Sequence, residues 1–228
     1  IGFVNNNKNR TFDTAYMIVN GNAVVGKTYI STGMGATQGV VVAEAEGSEQ
    51  FINVRNTING SFVASPAGNT TKVMAGTYNE AVFINKTQKL LGAGADVTTV
   101  VGPHTGAMGR TTFALRAPNS SVSGFTVTRD GNTAALWAGN LLSELVTIGA
   151  GSSNGVVENN IIRDGRSGLY VENTGTGNVA RNNRIINNHT GVHIVGGISE
   201  LTVENNFITE NRTAGVLFRE DTASNFSD

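Results

Sequence analysis

Between Asn154 and Arg219 the apolar and polar positions keep returning in one order. Val157-Glu158-Asn159-Asn160-Ile161-Ile162, Val179-Ala180-Arg181-Asn182-Asn183-Arg184-Ile185-Ile186 and Val203-Glu204-Asn205-Asn206-Phe207-Ile208 are the same motif three times, and a period of about 23 residues lies in the solenoid range. A second motif runs between them. Gly168-Leu169-Tyr170-Val171, Gly191-Val192-His193-Ile194 and Gly215-Val216-Leu217-Phe218 each place an apolar residue on either side of an outward position, the period-two pattern of a short strand. No helical period fits. The pattern predicts coils of three short strands, stacked about 4.8 Å apart as in a parallel sheet. The predicted fold is all-β, a parallel β-helix.

The letters of the repeat follow from that geometry. The second Asn of each pair, Asn160, Asn183 and Asn206, is predicted to take the left-handed backbone of a sharp bend, which Asn tolerates better than any residue but Gly. Its amide is predicted to bond to the same Asn one coil up and down. Ile162, Ile185 and Ile208 then form one inward column, Phe125 takes the ladder position in an earlier coil, and Gly168, Gly191 and Gly215 open the strand after each turn. These segments resemble the right-handed parallel β-helix repeats of the pectin-lyase-like superfamily, over about the last two-thirds of the chain. The resemblance implies a right-handed solenoid with binding grooves along one outer sheet and its flanking turns.

Counting repeats gives about six coils and a rod of roughly 30 Å. Residues 1–47 read as an N-terminal flank or irregular first coil, with short strands at Phe3-Val4, Tyr16 to Val19, Ala23 to Val25 and Gly39 to Val42. Residues 48–60 read as a capping helix: Ser48 as N-cap, Phe51, Val54 and Ile58 on one face, Gly60 as the stop. Such a plug is what a solenoid with an open end requires, and Phe51 to Ile84 resembles the superfamily's entry segment, in which a helix plugs the core before a strand ending in a Gly-Thr-Tyr turn. The β-helix occupies 61–228. From Gly124 to Asn159 the chain is ~12 residues longer than one coil, which predicts an insertion between Gly139 and Ser153. It carries Leu141, Leu142, Leu145 and Ile148 and reads as a packed side element or a lid. The start at Ile1 suggests a processed or truncated chain. The polar run from Arg219 to Asp228 suggests that the protein continues or that another subunit covers the last coil.

Composition narrows the partners. With 228 residues, 39% hydrophobic, 14% charged and 29 Gly, the chain suits one domain of many short strands. A net charge of −1 gives no footprint for nucleic acid. No apolar run is long enough to span a membrane. Absence of Cys removes disulfides and thiol-held metals and suits a secreted or cell-surface protein of bacterial type.

The candidate chemistry lies on the strand faces and turns. Tyr170 and His193 are outward on successive strands, and Trp137 joins them if the insertion leaves it in register. The three would make an aromatic and polar strip for stacking on sugar rings. The turns carry Arg129-Asp130-Gly131, Arg163-Asp164-Gly165-Arg166, Asn187-Asn188-His189 and Glu210-Asn211-Arg212. Asp130 and Asp164 fall on adjacent coils, where two carboxylates share a cation such as Ca2+ or else cap their own turns. Two functions fit. One is a secreted or surface rod that binds polysaccharide or builds a scaffold. The other is a lyase or epimerase of uronic-acid polymers, with Arg163, Arg166 or His189 neutralising the sugar carboxylate and moving the adjacent proton. Asp130, Asp164 and Glu210 do not cluster as a glycosidase requires, and the motifs of pectin methylesterases and of Asp-Pro-His epimerases are not visible.

Overall fold

The computed structural model describes residues 2–4, 16–19, 22–24, 41–44, 51–55, 57–103, 111–129, 144–196 and 200–219. From Thr70 onward the chain winds through three parallel faces, each six strands deep, as the repeat count predicts; five full turns separate the first rung from the last. The first face holds Thr70–Val73, Lys89–Gly92, Ser121–Ser123, Val156–Glu158, Asn178–Arg181 and Leu201–Glu204. The second holds Gly76–Asn79, Thr98–Gly102, Thr126–Arg129, Ile161–Arg163, Arg184–Ile186 and Phe207–Thr209. The third holds Val82–Ile84, Thr111–Leu115, Glu144–Ile148, Ser167–Val171, Thr190–Val195 and Ala214–Arg219. Earlier, Gly2–Val4, Tyr16–Val19 and Asn22–Val24 form an antiparallel sheet of their own, while Val41–Glu44 pairs antiparallel with Thr70–Val73 and prolongs the first face.

Register turns sequence repeats into side-chain columns. Val127, Ile162, Ile185 and Ile208 stack on the second face, and Phe113, Val146, Leu169 and Val192 on the third. All of these but Ile208 are buried, and Ile208 packs against the same core. With Leu90, Val122, Val157 and Ala180 from the first face they form one continuous core, and its burial is the main stabilising term.

The Asn ladder is present, with its two Asn residues in exchanged roles. Asn183 Oδ1 accepts from the Asn160 amide nitrogen at 3.1 Å and from its Nδ2 at 3.2 Å, and Asn206 Oδ1 does the same for Asn183 at 2.9 Å each. Phe125 heads the column, donating its backbone N–H to Asn160 Oδ1 at 3.0 Å. The left-handed residue, however, is the first Asn of each pair: φ is 56° at Asn159, 55° at Asn182 and 52° at Asn205. The bend must be made one residue early so that the second side chain turns inward to its partner. A second ladder joins Asn188 to Asn211, and its upper end is Gly165 N–H donating to Asn188 Oδ1 at 3.0 Å.

The cap forms later than its apolar spacing predicts. Phe51–Arg55 is a strand paired with Val41–Glu44, and the helix is Ile58–Ala64. Thr57, not Ser48, is the N-cap, its side chain accepting from Gly60 N–H at 3.0 Å. Gly60 is therefore inside the helix. Ile58 and Phe62 enter the core. The Glu80 carboxylate accepts the Ile58 and Asn59 N–H groups at 2.7 and 2.9 Å. At the other end Lys86 Nζ donates to the Val63 and Ser65 carbonyls and lies 4.9 Å from the Phe62 ring centroid. The placement of the insertion is corrected as well. Glu144–Ile148 is a regular strand of the third face with Leu145 and Ile148 in the core, so the extra residues end before Glu144; Leu141 and Leu142 lie outside the described residues.

Coil stacking makes some glycines obligatory. A Cβ on Gly191 would stand 2.5 Å from the Gly215 carbonyl oxygen and 2.8 Å from Asn211 Nδ2, whereas one on Gly215 would meet nothing closer than 3.6 Å among the described residues. Gly191→Ala is expected to lower stability by about 1–3 kcal/mol, with Gly215→Ala within about 1 kcal/mol of the parent. Urea unfolding of the two variants side by side checks the contrast; equal losses would contradict this account.

Candidate functional site

The outer side of the third face gathers the ionisable groups. Alternation sends Phe113, Val146, Leu169 and Val192 inward, so Ala114, Thr147, Tyr170, His193 and Leu217 form the outward column. Thr111, Glu144, Ser167, Thr190 and Ala214 form a second column three residues earlier. The two columns touch where Thr111 Oγ1 and Thr147 Oγ1 lie 3.1 Å apart. The face is enclosed: Thr147, Ser167 and Glu144 are nearly sealed from solvent, and Tyr170 and His193 keep 9% of their surface.

Tyr170 and His193 are neighbours, as their sequence positions predict, with ring centroids 5.2 Å apart and planes at 82°. That is the edge-to-face arrangement aromatic rings prefer. Being enclosed, they do not present open faces for a sugar to stack on. The position beside Tyr170 in the preceding coil belongs to Thr147; Trp137 and Asp130 lie outside the described residues. Asp164 sits in a left-handed turn with φ of 63°, where its carboxylate takes Arg163 at 3.2 Å and Asn187 Nδ2 at 2.6 Å. Among the described residues no three His, Asp or Glu side chains come together as metal ligands. Arg163 ends a strand of the second face with half its side chain in solvent. Arg166 and His189 stand in register at the corner leading to the third face.

Electrostatics ties the cluster together. Burial pushes the Glu144 carboxyl up, against the pull of Arg166 and Arg129, with Glu172 adding to the rise. Burial lowers Arg129, and Glu144 resists. The Tyr170 hydroxyl donates to Glu172 Oε2 at 3.2 Å, and burial followed by the charges of Glu172 and Glu144 pushes it up to about 12. Arg116 Nη2 holds the other Glu172 oxygen at 3.6 Å. His193 is driven toward its neutral form by burial, then by Arg219 and Arg166, and its Nε2 has no hydrogen-bond partner among the described residues. His189 is lowered by burial, Arg166 and Arg212. A neutral imidazole, a phenol and a carboxyl inclined to keep its proton can exchange protons, and the flanking guanidinium groups can hold an anion.

Glu144, Glu172 and Arg116 were not singled out by sequence reasoning, and Arg129 was seen only as a charge in its turn. Glu144 was hidden by the insertion, although Glu144-Leu145-Val146-Thr147-Ile148 repeats the spacing of Ser167-Gly168-Leu169-Tyr170-Val171, and that alignment would have found it.

Because the folded state holds Glu144 above its ordinary value of 4.5, its ionisation opposes folding. The penalty is absent at acid pH and grows as pH rises from 4.5 through the raised folded value. Glu144→Gln is expected to remove that component: urea midpoints of the variant, relative to the parent, rise from acid to neutral pH. A difference that stays flat would show that the carboxyl is not strained by burial.

The model of the right-handed β-helix region matches residues 106–227. Among solved structures, a pectin methylesterase, PemA from Erwinia chrysanthemi, is similar with a TM-score of 0.49 and 16% identity over 67% of this chain and 53% of that one. A pectin methylesterase in complex with a hexasaccharide is similar with a TM-score of 0.45 and 12% identity over 70% of this chain and 64% of that one. The chain thus spans between about half and two-thirds of the length of these structures. No curated protein sequence matches it. The matched region is more than half of the chain and coincides with the stacked coils built from the Asn ladders: the protein belongs to the right-handed β-helix family.

Proposed function

We propose that this β-helix binds polysaccharide along its third face and the adjoining corner, as a secreted or cell-surface rod. One observation carries the reading. Five of the described groups whose acidity is displaced from normal, Arg129, Glu144, Tyr170, His189 and His193, lie on that one side. Concentrated perturbation of this kind is a mark of functional surfaces. The first face, by contrast, neutralises itself, with Arg181 bonded to Glu158 at 2.8 Å. The partly accessible Arg116, Glu172, Arg166 and His189 offer polar contacts at the rim, with the Tyr170 hydroxyl bonded to Glu172 behind them.

The buried Glu144 favours a second reading, a lyase or epimerase acting on uronic-acid polymers. Arg166 would neutralise the sugar carboxylate while a neutral histidine accepts the adjacent proton. No helix among the described residues is long and apolar enough to cross a membrane.

Calorimetric titration with soluble neutral and acidic polysaccharides is expected to show binding that Tyr170→Ala or Arg116→Ala weakens. Ultraviolet absorbance of the same mixtures reports an unsaturated product only if elimination occurs. Binding without new absorbance and without a change in the uronate composition of the recovered polymer supports the rod. New absorbance lost in Glu144→Gln replaces it by the lyase, and absence of any binding overturns both readings.

A further inference from the structure

We infer that buried water is bound beneath the cap helix, on the inner side of the first two rungs, by the amides of Gln88 and Asn69 and the hydroxyls of Thr71 and Ser61. Three stretches of chain supply the four residues: Ser61 stands in the helix Ile58–Ala64, Asn69 and Thr71 lead into and along Thr70–Val73, and Gln88 precedes Lys89–Gly92. Ser61, Thr71 and Gln88 are sealed from solvent, and Asn69 nearly so. Alternation along the first face turns Asn69, Thr71 and Val73 inward on one rung and Gln88 and Leu90 inward on the next. Ser61 lies between Ile58 and Phe62, on the side of the helix that enters the core, and the helix packs against Thr70–Val73.

The polar atoms of this group are unmet. Ser61 Oγ, Asn69 Nδ2, Thr71 Oγ1 and both ends of the Gln88 amide are buried with no hydrogen-bond partner among the described residues. Each such atom forfeits its hydration without replacement, and several in one place weigh heavily on a fold whose net stability is small. The same column shows further along how its polar groups are satisfied. Asn69, Gln88, Ser120, Gly155 and Asn178 stack in register at the entry to the first face. Ser120 Oγ accepts the Gln88 backbone N–H at 3.2 Å. Asn178 Oδ1 accepts Ser152 Oγ and the Gly155 N–H at 2.9 Å each, and its Nδ2 donates to the Gly175 carbonyl at 2.7 Å. The side-chain amides under the cap need equivalent partners, and the protein groups described around them do not supply any.

The donor set selects water. It offers two amide nitrogens that donate, one amide oxygen that accepts and two hydroxyls that do either, and a buried water makes about three such bonds. None of the four side chains is charged, whereas a buried ion requires a charged partner. Glu80, the carboxylate at the helix, is occupied by the Ile58 and Asn59 N–H groups. Gln88 carries one methylene more than Asn, and it does not bond to Asn69 along the stack as Asn160 bonds to Asn183. Water in this position joins the helix to the first coil from the inside, where Glu80 and Lys86 join them from the two ends.

The test is a crystal structure of the intact protein at a resolution that orders internal water, with magnetic relaxation dispersion of the solvent as a second readout. At least one water is expected within hydrogen-bond distance of the Gln88 amide and of one or more of Asn69, Thr71 and Ser61. No water density there, or a Gln88 amide bonded directly to protein groups, overturns the inference. In solution the parent is expected to hold long-lived water, and its contribution to the dispersion is expected to fall in Gln88→Met, whose side chain is of similar length and apolar. Urea unfolding of that variant gives the sign. Loss of a hydrated amide strands the water and its remaining partners and lowers the midpoint, whereas loss of a dry, unmet amide raises it. A raised midpoint or an unchanged dispersion overturns the inference. Should Gln88→Met fail to fold, the crystal structure of the parent decides by itself.

Discussion

Everything in this molecule is subordinate to the spacing of parallel strands. One coil rises by about 4.8 Å, so a residue type fixed at one position meets its counterpart in the next coil at nearly contact distance. Leucines, valines and isoleucines benefit from this, because like stacks on like with no void. Amides benefit if they can donate and accept in the same direction, which Asn160, Asn183 and Asn206 do. Buried amides are tolerable only when so paired, since an unmet buried polar group costs about 1–3 kcal/mol. A corner therefore holds either a ladder of Asn or a residue such as Phe125 that closes it through its backbone N–H.

The same constraint explains what could be read from the sequence and what could not. Ladder, inward Ile column and the Tyr170–His193 neighbourhood were legible because identical spacing recurs in adjacent coils. The left-handed bend was assigned one residue late: both Asn residues of a pair tolerate positive φ, and only the direction of the buried side chain decides between them. Asn188 and Asn211 were visible as turn residues but not as a ladder, because Gly165 stands at the third position. The helix slipped for another reason. Phe51, Val54 and Ile58 suit a helical face, yet the partner strand Val41–Glu44 claims Phe51–Arg55, a tertiary pairing that local spacing does not contain. Glu144 was lost behind an insertion whose position length alone could not give.

The cap shows how little local propensity matters here. A helix of seven residues lies far below the length that is stable alone. It holds because the first coil supplies a carboxylate to its N-terminal N–H groups and an ammonium to its C-terminal carbonyls, the arrangement that its dipole favours. Glu80 and Lys86 belong to the turns on either side of the strand Val82–Ile84, so helix and first coil are clamped as one unit over the open end of the core.

The third face differs from the first, where Arg181 bonds to Glu158. On the third face Glu144 is enclosed against the cost of its charge, while His193 is held neutral with an unmet nitrogen among the described residues. These terms act in opposite directions: the carboxyl favours folding in acid and the imidazole favours it above its ordinary value of 6.5. Neither is needed to stack coils, since Thr111 and Ser167 occupy the positions of Glu144 on the neighbouring rungs, and Tyr170 and Leu217 occupy that of His193. A scaffold alone would have no use for such residues, and departures from local consistency of this sort gather at functional sites. The strained groups of the third face are thus the physical reason for proposing a ligand there.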